Sequence, residues 1–251
     1  TEGSFGGQSH AGGGLDGFVV KFDSAGNRSW VRLVGTSEED GIGDIDVDGN
    51  GDVYVEGYTQ GNLQGHMPVG RWDAFVTRLD ASGKPRWATL LGAKETESIT
   101  ALEGHPDGGV VIGGRTDTDI RGQRVRGDQG FVARVAPDGS VDWLDLTNPQ
   151  GDEFGSITDV TTDASGALFA VGDFAIHRPE KRPYPTPGMI VRRYTASGQR
   201  AGVRTMNPDA VHNGRAIVAA PNGGVWVAGS TYATIDGQTP RGRSDIMLLK
   251  Y

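Results

Sequence analysis

The apolar residues of this chain fall in short runs separated by clusters of Gly, Asp, Asn, Ser and Pro, and the order of the runs repeats. The clearest copy spans residues 72–87. An apolar run, Ala74-Phe75-Val76-Thr77-Arg78-Leu79, is followed by the turn Asp80-Ala81-Ser82-Gly83 and by a second run carrying Trp87. A turn of that composition between apolar runs predicts a β-hairpin. The same text stands at residues 16–30 and 130–143, more weakly at 189–198, and again from Asp245 to Tyr251. Its central apolar residues are Phe18, Phe75, Phe131, Ile190 and Met247, at intervals of 57, 56, 59 and 57. Trp30, Trp87 and Trp143 each follow their phenylalanine by 12 residues, and the fourth copy has Gly202 there.

Two more strands fill each period. One contains Ile45, Ile99, Ile157 or Ile217, and the other contains Tyr54, Val111, Phe169 or Trp226. Between them lie the turns Asp48–Gly51, Pro106–Gly109, Asp163–Gly166 and Pro221–Gly224. Four strands per period of roughly 57 residues, with no helical periodicity, predict an all-β fold: a β-propeller of four-stranded antiparallel blades. The strands are named a (Ile45), b (Tyr54), c (Phe75) and d (Trp87), from the inside outward. With Thr1–Phe5 read as the remnant of a b strand, the count is 18 strands. That suggests about five blades with incomplete terminal blades in a single domain over residues 1–251. The units run approximately 1–35, 36–92, 93–147, 148–206 and 207–251.

Composition fits this reading. Glycine, at 41 of 251 residues, is more than twice its usual ~7% share, as many tight turns demand. The net charge of −8 argues against a nucleic-acid partner, which calls for a basic contact face. No apolar run reaches the ~18 residues of a membrane span, so no membrane insertion is expected. The absence of cysteine removes disulfides, thiolate metal sites and cysteine nucleophiles together. Thr1 in place of an initiator Met suggests a processed or excised chain.

In antiparallel blades the short a–b and c–d turns share one end, and the long b–c and d–a loops share the other. Function gathers on such loops. The b–c loops carry His66, Arg71, Trp72, Arg124, Arg126, Arg182, Tyr184, Tyr232 and Arg241, whereas the d–a loops carry Glu38, Glu39, Asp40, Glu95, Glu97, Asp152, Glu153 and Asp209. These nine b–c residues are the candidate binding set, because arginine and aromatic anchors dominate contact hot spots. The alternative is mutual pairing of the charges at little energetic gain. The b–c loops look too unlike one another for one site per blade, so a single composite site is expected. Asp44, Asp46, Asp48, Asn50 and Asp52 have the oxygen-rich spacing of a calcium loop, although position 12 counted from Asp46 is Gly57 and not the bidentate Glu. No other cofactor is implied. The repeated tryptophans read as packing between blades. No nucleophile elbow, His-Glu-x-x-His or P-loop is present, so no enzymatic activity is expected.

The combined text is similar to the bacterial SBBP-type β-propeller repeat. It comprises Asp73-Ala74-Phe75-Val76-x-Arg78-Leu79-Asp80-Ala81-Ser82-Gly83, then Trp87-x-x-Leu90-Leu91-Gly92, then Gly49-Asn50-Gly51-Asp52-Val53-Tyr54-Val55-x-Gly57-Tyr58-Thr59. The resemblance implies a propeller from a bacterial secreted or cell-surface protein and carries no shared catalytic set. The expected function is a non-catalytic extracellular or cell-surface module engaging a protein or glycan through its b–c and d–a loops. The alternatives are a lectin, a glycan-active hydrolase or lyase at the central channel, and an assembly unit forming oligomers by blade completion between chains.

Overall fold

The computed structural model describes residues 1–92, 94, 97–125, 127–147, 153–176, 186–206, 211–235 and 237–251. Seventeen strands and no helix are found among them, in five antiparallel sheets. The first sheet holds β1 (Gly17–Phe22) and β2 (Arg28–Val34). The second holds β3 (Asp40–Val47), β4 (Val53–Thr59), β5 (Asp73–Leu79) and β6 (Pro85–Leu90). β7 (Ser98–Gly104), β8 (Val110–Thr116), β9 (Gln129–Val135) and β10 (Val141–Leu146) form the third. In the fourth are β11 (Glu153–Thr162), β12 (Leu168–Ile176), β13 (Thr186–Tyr194) and β14 (Arg200–Thr205). The fifth has β15 (His212–Ala219), β16 (Val225–Thr231) and β17 (Asp245–Lys250). Each complete sheet runs a–b–c–d in spatial order. No pairing among the described strands closes the row into a ring.

The sheets stack face to face, which explains the apolar pattern. Strands b and c are buried on both faces, so they read as continuous apolar runs and not as alternation. Alternate side chains of one strand then enter different cores. Val53, Val55 and Phe75 pack toward the first sheet. Tyr54, Ala74 and Val76 pack toward the third, against Ile99, Ile112 and Phe131. Equivalent clusters join the third sheet to the fourth and the fourth to the fifth. The outer faces of the two end sheets are uncovered, leaving Phe18 and Phe22 exposed at one end and Trp226, Ile246 and Leu248 exposed at the other.

The repeated tryptophans tie each sheet to the next. Trp30 donates its indole N–H to Ala81 O at 3.1 Å, and Trp87 donates to Pro137 O at 2.8 Å. The ring lies against the turn glycine of the following sheet. A Cβ on Gly83, Gly139 or Gly198 would come within 2.9 Å of Trp30, Trp87 or Trp143 respectively, and all three glycines have positive φ. The turn therefore needs glycine twice over, for backbone conformation and for ring clearance.

Two sequence expectations change. Thr1–Phe5 is not a strand. It is the start of a b–c loop whose Thr1 bonds Asp16, which makes the strand count 17 and not 18. The b–c loops are also less variable than their sequences suggest. In four of them the threonine that begins the loop accepts from and donates to the residue two places on: Thr1/Gly3, Thr59/Gly61, Thr116/Thr118 and Thr231/Ala233. A tight turn then closes between Phe5 and Gln8, Leu63 and His66, Ile120 and Gln123, and Ile235 and Gln238. Its geometry calls for successive residues of positive φ, as a hairpin turn does. Gly6 and Gly7, Gln64 and Gly65, and Arg121 and Gly122 supply them. The hydroxyl–backbone pattern holds with Gly, Thr or Ala at its third position, so sequence identity understates the structural repeat.

Candidate functional site

In every a strand one residue bulges out of register with strand b: Gly43, Thr100, Thr158 and Arg215. In the third and fourth sheets the bulge threonine stitches neighbouring a strands together. Thr100 donates to Ile157 O, and Thr158 donates to Gly214 O at 2.9 Å. The second sheet has no side chain there, and the space is taken by Glu56 from β4. A Cβ on Gly43 would lie 2.1 Å from Glu56 Oε1, and one on Gly41 would lie 2.5 Å from the Tyr58 ring. Glycines on β3 thus make room for two large side chains of β4.

The result is a niche of about 470 Å³ between the second and third sheets, lined by Ile42, Gly43, Glu56, Gly57, Tyr58, Trp72, Glu97, Ser98 and Ile99. Tyr58 and Trp72 meet edge to face, with centroids 4.9 Å apart at 76°. Glu56 is 3% exposed and Glu97 is 1% exposed. Burial, reinforced by the nearby Asp44 charge and opposed by the Asp44 N–H, pushes the Glu56 carboxyl up to about 8. At neutral pH it is mostly protonated and able to donate a hydrogen bond. Glu97 accepts from Thr118 Oγ1 at 2.9 Å. Among the described residues, this is where an unusually held acid and an aromatic pair come together.

The next pair of sheets forms a niche in the same place, about 220 Å³, with different chemistry. Arg115 and Asp128 replace Tyr58 and Trp72 there, as an ion pair at 3.6 Å. Gly113 stands where Glu56 does, and Gly155 where Glu97 does. A larger hollow, about 580 Å³, runs along β17 at the unpaired edge of the fifth sheet.

The sequence-predicted binding residues are distributed around these features. Trp72 lines the niche, while its neighbour Arg71 is exposed. His66 is exposed and closes the tight loop turn through its backbone. Arg124 and Tyr232 are exposed in the loops of the third and fifth sheets, and Arg241 lines the hollow beside β17. Arg126, Arg182 and Tyr184 lie outside the described residues, as do Glu95, Asp152 and Asp209. The described members of the expected composite site belong to the loops of three different sheets. Asp40 and Glu97 are not surface charges. Asp40 is buried and accepts from the N–H and hydroxyl of Thr36 at 2.6 and 2.9 Å.

The calcium-loop spacing is put to other uses. Asp44 and Asp46 accept backbone N–H groups of the next a strand, from Leu102 at 3.2 Å and Gly104 at 2.7 Å. Asp48 caps its own turn through the N–H groups of Asn50 and Asp52, at 2.9 and 3.0 Å. Asp52 pairs with Arg78. These carboxylates diverge toward separate partners, and no group of three or more acid or histidine side chains able to hold a metal occurs among the described residues.

Sequence reasoning passed over Glu56 and Tyr58. The available signal was departure from the repeat, with Glu56 standing where the other b strands have Gly113, Val171 and Ala228, and Gly43 where the other bulges have Thr100, Thr158 and Arg215.

The d–a–b run bordering this niche matches a known repeat. Residues 29–64 match the SBBP beta-propeller repeat family. The SBBP match begins in β2, passes through β3 and β4 with Gly43, Glu56 and Tyr58, and ends in the tight loop turn. A 112-residue stretch is 32% identical to the regulatory protein FlaEY of Caulobacter vibrioides. That match takes in 41% of this chain and 12% of the FlaEY protein, so the chain spans a small part of its relative's length. Among solved structures, a protein of unknown function from Bacteroides caccae aligns over 92% of this chain and 69% of its own, with a TM-score of 0.47 and 10% identity. Puromycin hydrolase aligns over 80% and 35%, with a TM-score of 0.34 and 15% identity. No helix among the described residues is long and apolar enough to cross a membrane.

Proposed function

We propose that this protein is a non-catalytic binding module of a bacterial secreted or cell-surface protein, engaging a protein partner at the loop end of its sheets. The niche beside Trp72 is the point of insertion. The observation that carries this reading is the contrast between two neighbouring niches. The fold provides the same recess twice, but in only one is the bulge side chain removed, an acid buried and an aromatic pair set at the mouth. Packing alone does not call for that combination, since the third sheet does without it. A concave recess, largely apolar with a few convergent polar groups, is the usual form of a ligand site.

The five sheets are proposed to be the blades of one ring. The exposed Phe18 and Phe22 of the first sheet occupy the face that Phe75 and Leu79 bury in the second. Trp226, Ile246 and Leu248 of the last sheet occupy the face that Tyr54, Ala74 and Val76 bury. On this reading the two uncovered faces are the two halves of one interface.

Affinity capture from secreted fractions, with the wild type and with Trp72→Ala, tests the binding reading. A partner retained by the wild type and by Arg115→Ala, but lost on Trp72→Ala, is expected. Equal retention by all three would place the interaction elsewhere. A glycan-active hydrolase is the rival reading, favoured by the raised Glu56 carboxyl with Glu97 lining the same recess. Polysaccharide turnover abolished by Glu56→Gln would establish it and overturn the non-catalytic one.

A further inference from the structure

The chemistry of the niche narrows what it accepts. Two aromatic rings form a corner at its mouth, a carboxyl sits inside, and no lysine or arginine lines it. An anionic ligand would meet the Glu56 carboxyl, with no lysine or arginine among the described lining residues to receive it. A cation would meet the negative faces of the rings and a carboxyl that has given up its charge because it is buried, and because it lies near Asp44. We propose that this niche binds an alkylammonium group, the head of a lysine side chain on a protein partner, with Tyr58 and Trp72 against its chain and charge and Glu56 as its counter-ion. This rests on the reading of the niche as a ligand site and adds the class of ligand.

Size and surroundings agree. A recess of about 470 Å³ lies within the usual range for small-ligand sites of ~300–1,000 Å³, with room for a butylammonium chain. The groups facing Glu56 are Asp44 across the bulge on β3, Tyr58 on its own strand, and Glu97 with Ser98 at the head of β7. Its register partner on β5, Val76, brings no charge. Among the described residues the surroundings of Glu56 are therefore acidic or neutral, and the ligand supplies the positive charge that Glu56 pairs with. Gly43 is essential to this arrangement, since any side chain there would displace the Glu56 carboxyl.

The proposal has a thermodynamic signature. The empty niche holds a proton on Glu56 at neutral pH because the carboxyl is pushed up to about 8. An ammonium replaces that proton, so binding releases it. Affinity then rises roughly tenfold per pH unit below pH ~8 and levels above it. The lysine ammonium itself stays charged throughout, its own pKa being about 10.4.

The test is titration of the full chain with N-acetyl-lysine methylamide and with its uncharged isostere N-acetyl-norleucine methylamide. The readout is the Trp72 indole N–H resonance at pH 6.5, 7.5 and 8.5, assigned through Trp72→Phe. The lysine probe is expected to saturate the shift, to bind about tenfold tighter at pH 7.5 than at 6.5, and to outcompete the norleucine probe at every pH. Glu56→Gln removes the pH slope and weakens binding at pH 8.5 by roughly tenfold or more. Trp72→Ala weakens it by roughly 5- to 30-fold. Arg115→Ala, in the neighbouring niche, leaves it unchanged. If the norleucine probe or cellobiose binds as tightly through the same resonance, the ammonium assignment is overturned while the niche remains a ligand site. If no probe saturates the shift at any pH, both readings are overturned.

Discussion

Replacing Glu56 by glutamine separates burial from charge with little change of shape. In the folded chain the carboxyl is 3% exposed and raised from its ordinary 4.5 to about 8, chiefly by burial and then by the Asp44 charge. In the unfolded chain it titrates near 4.5. Between those values the folded state holds a proton that the unfolded state has lost. Folding stability therefore falls as pH rises through that window and is flat on either side of it. At about 1.4 kcal/mol per pH unit, the loss from pH 4.5 to 8 is roughly 4–5 kcal/mol, a large fraction of a typical domain's 5–15. Glutamine has no such loss. Urea unfolding followed by tryptophan fluorescence should find Glu56→Gln close to wild type at pH 5, where the neutral carboxyl and carboxamide are near-isosteres. At pH 9 it should be more stable by about 3–5 kcal/mol, with the gain growing steadily between. A difference that is the same at pH 5 and pH 9 would refute the argument, because it would mean that the carboxyl is solvated and not held in the niche.

Gly43→Thr restores the residue found at the neighbouring bulges but drives its Cβ toward Glu56; it should cost about 1–3 kcal/mol, and less when Glu56 is also replaced by Gly, a coupling that a double-mutant cycle measures. Trp87→Ala removes the ring from the Gly139 turn and the bond to Pro137 O, and should cost about 2–4 kcal/mol in urea unfolding; a loss below 1 kcal/mol would mean that the sheets are not held together there. If the end faces meet, Phe18→Ser and Ile246→Ser should each cost about 2–3 kcal/mol and combine non-additively, whereas faces left open to solvent would make both changes nearly neutral. Calcium or a chelator should leave the melting temperature unmoved, since Asp44 and Asp46 are committed to β7; stabilisation that grows with calcium concentration would contradict this.

The linear order of residues determined the repeat, the four strands within it, the turns and the role of the tryptophans. Each of these depends on local chemistry recurring at a fixed period, as with Phe75, the Asp80-Ala81-Ser82-Gly83 turn and Trp87. Trp72 was also legible, as one of the aromatic residues of the b–c loops. The niche itself depended on tertiary structure. Glu56 and Gly43 are 13 positions apart in sequence, and only the register shift in β3 sets the glycine's vacancy against the carboxyl. Glu97 joins them from another sheet, because successive sheets stack with their loop ends together. The same stacking redirected the Asp44–Asp52 run, whose spacing resembles a metal loop. Once β7 lies alongside β3, its backbone N–H groups bond Asp44 and Asp46. Spacing along a chain states which groups could converge. Burial and register decide which groups do, because a buried carboxyl must find a donor, a counter-charge or a proton wherever the fold leaves it.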